Sequence, residues 1–371
     1  MKGALATSPT ARPAGRRPVR LMIVDDSMVA RAVLSRMVVA DPTFEIVAVA
    51  GTAEDAIEAL GQISVDIILL DLEMPGAGGL RSIPHILAAA NGAKVLIVSS
   101  LAEEGAEETV AALAMGAADT LPKPGTGRFN GRFSEILLGK LRALGHADPA
   151  ADRDRLRHAT AASRSVGLTP LRQYPQGPVG LVAIGASTGG IHALGNFFDQ
   201  FRERIGAPIL VTQHLPAPFM PVFARQLSAS SGRKAVVAQD NMRLQPDEIH
   251  IAPGDAHLAV QEVGGHLTVR LERNRAASGC LPSVDPMFAS AGAVLGKAAV
   301  GVVLTGMGRD GVEGATRLVA CGGGVFAQDE ASCAVWGMPK SVTEAGLVCG
   351  VFTPGQIARA IVARVEEAAC R

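Results

Sequence analysis

Short apolar runs recur through residues 20–145, separated by alanine-rich segments with helical spacing. The runs are Leu21–Val24, Phe44–Val49, Val65–Leu70 and Lys94–Val98, with a weaker fifth at Asp119–Leu121. Brief β-branched runs alternating with helices predict a parallel sheet covered by helices on both faces. Residues 146–178 lose this periodicity and carry Arg, Asp, Pro, Ala, Gly and Gln, as an interdomain linker does. A second series then begins: Val179–Ile184, Pro208–Thr212, Glu248–Ala252, Ala299–Thr305 and Gly324–Ala327 read as strands, with helices expected at Ile191–Phe201 and Phe219–Leu227. The segment 257–271 reads instead as a hairpin turning at Gly264-Gly265. The expected organisation is a disordered arm (1–18), a first α/β domain (19–145), a linker (146–178) and a second α/β domain (179–371). The second domain is expected to be three-layered, with a mostly parallel sheet and an antiparallel hairpin.

In parallel α/β folds the reactive groups lie just past the C-terminal ends of the strands. In the first half those ends read Asp25-Asp26-Ser27, Asp71, Ser99-Ser100 and Lys123-Pro124. Converging carboxylates repel one another unless a cation sits among them, and an all-oxygen set suits Mg²⁺. A lysine and a hydroxyl beside them could hold a phosphoryl group, which makes Asp71 a candidate phosphate acceptor. Taken alone, Asp25-Asp26-Ser27 reads equally well as a helix cap.

In the second half, the run Val179–Ile184 leads into Gly185-Ala186-Ser187-Thr188-Gly189-Gly190. This satisfies G-x-S-x-G, a serine on a sharp strand-to-helix turn that can expose a nucleophile or cradle a phosphate. A serine nucleophile needs a base and an orienting acid. Among eight histidines, His214 in VTQHLP alone lies just beyond a neighbouring parallel strand. For the acid, Asp310 in TGMGRDG and Asp329 in FAQDEAS both follow strands, while Asp285 is expected to start a helix. Position does not separate Asp310 from Asp329; the glycine-rich turn around Asp310 favours it modestly.

Composition excludes more than it proposes. Arginine plus lysine equal aspartate plus glutamate at 35 each, so no global charge favours nucleic acid or an anionic membrane. No apolar stretch of 18 residues occurs, and the first twenty residues lack a signal peptide's apolar region. The five cysteines form no C-x-x-C and are read as free thiols in a reducing compartment. Conventional nucleotide-binding glycine motifs are absent, as is a basic recognition helix.

The motifs VDDS (24–27), LDLEMP (70–75), IVSS (97–100) and KP (123–124) make residues 19–145 resemble the receiver domain of two-component response regulators. That resemblance implies a flavodoxin-like five-stranded parallel sheet and phosphorylation of Asp71 by a chemotaxis-type histidine kinase. It also implies Mg²⁺ held by Asp25, Asp26 and Asp71, a switch hydroxyl at Ser99 and a phosphate contact from Lys123. Thr120 stands where many receivers carry an aromatic switch residue. Residues 179–365 resemble the chemotaxis methylesterase (CheB) family through AIGASTGG (183–190), TQHLP (212–216), IAPGDAHLAV (251–260), PSVDPMF (282–288), TGMGRDG (305–311) and AQDEASCAVWGMPKSV (327–342). By that resemblance Ser187 is the nucleophile, His214 the base and Asp310 its acid. The Met307 N–H is an oxyanion donor, Thr188 supports the site, and the ester chemistry needs no cofactor. The implied substrate is a glutamate γ-methyl ester on methyl-accepting chemoreceptors, with glutamine deamidation as a second activity. A cytoplasmic monomer is expected, with no nucleic-acid partner and no membrane insertion. The unphosphorylated receiver is expected to sit over the catalytic centre.

Overall fold

The structure is a computed structural model that describes residues 17–74, 78–99, 103–123, 131–145 and 171–369. The expected arm and most of the expected linker lie outside these residues, as do Pro75, Ser100 and Pro124. Among the described residues, the first half forms a five-stranded sheet in the order β2-β1-β3-β4-β5. Its strands are β1 (Val19–Val24), β2 (Phe44–Ala50), β3 (Ile67–Leu70), β4 (Lys94–Ser99) and β5 (Asp119–Pro122), all paired in parallel. Helices α1 (Met28–Val39), α2 (Ala53–Leu60), α3 (Gly79–Ala89), α4 (Glu103–Ala114) and α5 (Gly131–Gly145) connect and cover them. Local chemistry starts these helices: the Ser27 hydroxyl accepts from the Ala30 N–H, and the Thr52 hydroxyl from the Asp55 N–H. The cap reading of Ser27 is therefore correct and coexists with the carboxylates before it.

The second half is built on a seven-stranded sheet in the order β14-β13-β12-β6-β7-β9-β8. The strands are β6 (Leu181–Ala186), β7 (Ile209–Gln213), β8 (Ala235–Val237), β9 (Ile249–Ile251), β12 (Ala299–Val303), β13 (Gly324–Gln328) and β14 (Gly350–Phe352). Every pairing in it is parallel. The central strands are buried throughout, which explains why they read as unbroken apolar runs. The three-residue edge strands β8 and β14 carry too little pattern to be read from sequence, and their shortness limits edge-to-edge association. Helices α6 (Gly190–Asp199), α7 (Met220–Ser231), α8 (Val284–Leu295), α9 (Val312–Ala320), α10 (Met338–Glu344) and α11 (Pro354–Ala369) flank the sheet. Phe197, Phe198 and Phe201 pack edge-on and tilted beneath it, with centroids 4.9–6.3 Å apart.

Two expectations are refined. The hairpin β10 (His257–Val263) and β11 (His266–Glu272) is a separate antiparallel sheet rather than an extension of the parallel one. The Ser290 hydroxyl of α8 docks it by accepting from the Val260 N–H at 2.9 Å. Asp285 does not cap α8. Ser283 is the cap, and Asp285 accepts from the Gly314 N–H at 2.7 Å, tying α8 to α9. Residues 171–178 run along the second half: Tyr174 lies edge-on to Phe326, and Arg364 stacks over Tyr174 while donating to the Gly177 carbonyl. Among the described residues no helix is long and apolar enough to cross a membrane.

His250, in the middle of β9, accepts from the Gln245 N–H, and its Nδ1 is buried without a partner. Burial pushes its pKa down to about 4 from 6.5. The unfolded chain therefore binds one more proton than the folded chain between those values. Stability should fall as pH drops from about 6.5 to about 4, by at most on the order of 3 kcal/mol. Urea denaturation across this window, as the difference between wild type and His250→Gln, should show that loss. A flat difference would mean His250 is protonated equally in both states.

Candidate active site

The strand register brings the expected residues together. β6 pairs with β7 as Gly185↔Thr212 and Ala186↔Gln213, so the next residues, Ser187 and His214, leave adjacent strand ends side by side. On its other side β6 pairs with β12, whose end supplies Thr305, Gly306 and Met307. The chain thus departs in opposite directions from β6, the switch point at which α/β sheets open a crevice.

The turn carrying Ser187 is fixed by backbone contacts. Its N–H donates to the Thr305 carbonyl at 3.0 Å, and its carbonyl accepts from Gln213 Nε2 at 2.9 Å. Gly189 is left-handed (φ +77°) and a Cβ there would meet Ala334 Cβ at 2.5 Å, so only glycine fits. The Ser187 hydroxyl has no hydrogen-bond partner among the described residues. His214 Nε2 lies 2.7 Å from Asp310 Oδ2. Asp310 is buried, and it also accepts from the Ser283 hydroxyl (2.6 Å) and the Val284 N–H (2.7 Å). Burial alone would raise its pKa, but the hydrogen bond and charge of His214 and these two donors hold it at about 2. Asp285, beside it, is pushed up to about 6 by burial and by the Asp310 charge. Asp329 makes no such contact; its carboxylate accepts from the Ser332 N–H in its own turn. Met307 is 41% exposed, and its N–H donates to no described residue. Thr188 is buried, with its hydroxyl turned away from this centre.

That hydroxyl meets the first half of the chain. Thr188 Oγ1 donates to Asp119 Oδ2 at 2.5 Å, and the Gly189 N–H donates to the Ala118 carbonyl at 2.6 Å. Lys140 holds the same Asp119 oxygen at 2.5 Å. Between β5, α5 and the catalytic edge lies a cavity of about 390 Å³ lined by Phe133, Ile136, Lys140, His214 and Pro216 among others. Val335 packs into the core of the first half, and α4 lies against α6 and α7.

The strand ends of the first half converge as expected from their order. Candidate ligand oxygens of Asp25, Asp26 and Asp71 all lie within 4.8 Å of one another. Lys123 Nζ sits 2.7 Å from Asp71 and 3.3 Å from Asp25. Burial, with the Asp25 charge added, raises Asp71 in spite of Lys123. Asp25 Oδ2 is buried without a hydrogen bond, with Lys123 Nζ at 3.3 Å, and an all-oxygen donor set of this kind fits a hard divalent cation. The Ser99 hydroxyl is buried and lies 2.6 Å from Thr109 Oγ1 on α4.

Family models place both halves. The model described as CheB methylesterase matches residues 182–361, and that of the response regulator receiver domain matches residues 21–128. A protein-glutamate methylesterase/protein-glutamine glutaminase of Paramagnetospirillum magneticum is 37% identical over 359 residues, covering 92% of this chain and 94% of that protein. The chain belongs to the CheB methylesterase family. A second family member, from Azospirillum brasilense and of the same name, is 39% identical over 92% of this chain and 91% of its own length. The crystal structure of the Thermotoga maritima CheB methylesterase catalytic domain is 34% identical and covers 50% of this chain and 98% of its own, with a TM-score of 0.49.

Sequence reasoning missed several residues here. Gln213 lies between the expected strand and His214, Ser283 sits inside PSVDPMF with no role of its own, and Thr109 and Asp119 carry no motif. Cys280 was set aside for want of a C-x-x-C, yet its sulfur lies within 4.8 Å of donor atoms of His214 and Asp310. The closeness of β12 and β6 gives a prediction. A Cβ on Gly306 would meet Ser187 Cβ at 2.7 Å and Met338 Sδ at 2.5 Å. Gly306→Ala should fold with stability lower by about 1–3 kcal/mol and lose hydrolysis by roughly 10²-fold through a displaced serine. Thermal melts and esterase assays measure the two separately; unchanged activity would show that the turn relaxes freely.

Proposed function

We propose that this protein removes methyl groups from glutamate γ-methyl esters of methyl-accepting chemoreceptors, and deamidates receptor glutamines. The support is the juxtaposition of Ser187 with a histidine already held by a buried carboxylate, in a chain of the methylesterase family. Nε2 of His214 is engaged by Asp310, so Nδ1 is the nitrogen left to take the Ser187 proton. Ser187 Oγ attacks the γ-carbonyl, and the N–H of Met307 faces the developing oxyanion. Methanol or ammonia leaves, protonated by His214, and water activated at the same nitrogen frees the glutamate. Asp310, ionised at neutral pH, orients the ring and stabilises the imidazolium. The reaction is expected in the cytoplasm, by a monomer, without a nucleic-acid partner.

Ser187→Ala should abolish methanol release from methylated receptor membranes while leaving the fold intact. Asp310→Ala should lower it roughly 10²–10⁴-fold, and Asp329→Ala should stay near wild type. An active Asp310→Ala variant beside a dead Asp329→Ala variant would mean that the acid is Asp329.

The first half regulates this chemistry. Asp71 takes the phosphoryl group from a histidine kinase, and Lys123 exchanges its pairing with Asp71 and Asp25 for the phosphoryl oxygens. Asp25, Asp26 and Asp71 would hold Mg²⁺, which when bound neutralises the charge gathered there. Ser99, drawn to the phosphoryl group, leaves Thr109 and so loosens α4 against α6 and α7. The Asp119 and Ala118 contacts to Thr188 and Gly189 then open, uncovering the catalytic edge. A fragment beginning at Leu171, which keeps the Tyr174 packing, should be roughly 5–150-fold faster than the unphosphorylated full-length protein. Asp71→Asn should stay at the low rate with any phosphodonor. A fragment no faster than the full chain would show that phosphorylation acts by recruitment or by assembling the active site.

A further inference from the structure

We propose that His214, Asp310 and Cys280 form a second cation site, selective for a thiophilic divalent ion of the zinc class, whose occupancy shuts off hydrolysis. Donor atoms of all three residues lie within 4.8 Å of one another. They offer an imidazole nitrogen, a carboxylate oxygen and a sulfur, the set from which three-ligand zinc sites with an open fourth position are made. Zinc–ligand bonds of about 2.0–2.3 Å place donor atoms roughly 3.3–3.8 Å apart, so the 2.7 Å pair of His214 Nε2 and Asp310 Oδ2 must open while Cys280 Sγ stays beside them. The site is accessible: Cys280 and His214 are half-buried, and the neighbouring Leu281 is 51% exposed. Coordination would break little hydrogen bonding at Cys280: among the described residues its thiol makes one weak approach, 4.0 Å to the Ser278 carbonyl. Two carboxylates, Asp310 and Asp285, make the surroundings negative, and among the described residues no lysine or arginine is paired with either of them.

Coordination would release the Cys280 thiol proton to solvent, while the His214 ring keeps its single proton and carries it on the nitrogen that does not bind the metal, so that nitrogen is no longer an acceptor. The imidazole could then neither accept from Ser187 nor be oriented by Asp310. This chain would thus carry two cation sites of opposite character. The oxygen-only set of Asp25, Asp26 and Asp71 suits Mg²⁺, and the N/O/S set at the catalytic edge suits zinc. Phosphorylation conditions rich in Mg²⁺ would leave the esterase open, whereas zinc would close it.

This proposal rests on the reading of Ser187, His214 and Asp310 as the hydrolytic centre, so its test has one arm that does not use activity. Full-length wild type, Cys280→Ala and Cys333→Ala are titrated with Co²⁺ in excess Mg²⁺, and the sulfur-to-cobalt charge-transfer absorption is recorded. The same three proteins are assayed for methanol release against Zn²⁺, with chelator reversal. The expected result is a thiolate–cobalt band in wild type and Cys333→Ala that is absent in Cys280→Ala. Zinc inhibition should be chelator-reversible and weakened roughly tenfold or more by Cys280→Ala, the least that loss of a direct ligand should cost. A band that persists in Cys280→Ala, or equal zinc sensitivity in all three proteins, overturns the site. A Cys280-dependent band with no zinc effect on a working esterase overturns the inhibition. A Cys280-dependent band in a protein without esterase activity keeps the metal site and instead sinks the hydrolytic reading.

Discussion

The crowding of three parallel strand ends, β12, β6 and β7, is the constraint on which the rest of this molecule depends. Parallel pairing forces β6, β7 and β12 to end on one edge, and the reversal of chain direction at β6 opens a crevice there. Gly189, Gly190 and Gly306 leave room for neighbours that a Cβ would displace: Ala334 and Thr305, the Gln213 side chain, and Ser187 with Met338. Everything reactive follows from that crowding. Ser187 is held from both sides by Thr305 and Gln213, His214 leaves the adjacent strand, and Asp310 arrives from the loop after β12.

The same edge is where the two halves of the chain meet. The turn after Ser187 would otherwise leave a threonine hydroxyl and a glycine N–H facing out. Both are satisfied at the start of β5 in the receiver half, through Asp119 and the carbonyl of Ala118 just before it. Buried polar groups seldom go without partners, so separation of the halves must give these groups water instead. Such an exchange is nearly neutral per bond, about 0.5–1.5 kcal/mol. An interface made this way can therefore be tipped by a small change in α4, which packs against β4 and β5 on one side and α6 and α7 on the other.

Electrostatics differ at the two edges. In the receiver half, Lys123 spans two buried carboxylates and only partly offsets their desolvation, so Asp71 stays raised. In the catalytic half, Asp310 has His214, Ser283 and the Val284 N–H to itself and is held low, at the expense of Asp285. The two carboxylates of that pair are pushed apart in pKa by one environment, which leaves an ionised group where an imidazole needs orienting.

The periodic runs determined the alternation of strand and helix, the parallel sheets, the Gly264-Gly265 turn (φ +58° and +76°) and the strand-end placement of Ser187, His214, Asp25, Asp71 and Lys123. These features are local: a buried parallel strand is an unbroken apolar run, and its C-terminal end is a position in sequence. The three-residue edge strands β8 and β14 were not read from sequence, whereas β9, equally short but interior and wholly buried, shows within the run Glu248–Ala252. Strand-end position likewise left Asp310 and Asp329 unseparated, and only the glycine-rich turn and the family resemblance favoured Asp310; the tertiary structure brings only Asp310 to His214. Thr109 beneath Ser99, Asp119 against Thr188 and Cys280 beside the histidine were beyond sequence for one reason. Each meets its partner across elements distant in the chain or across the meeting of the two halves, and the distance between two side chains in a folded chain is set by packing, not by either residue's own neighbours.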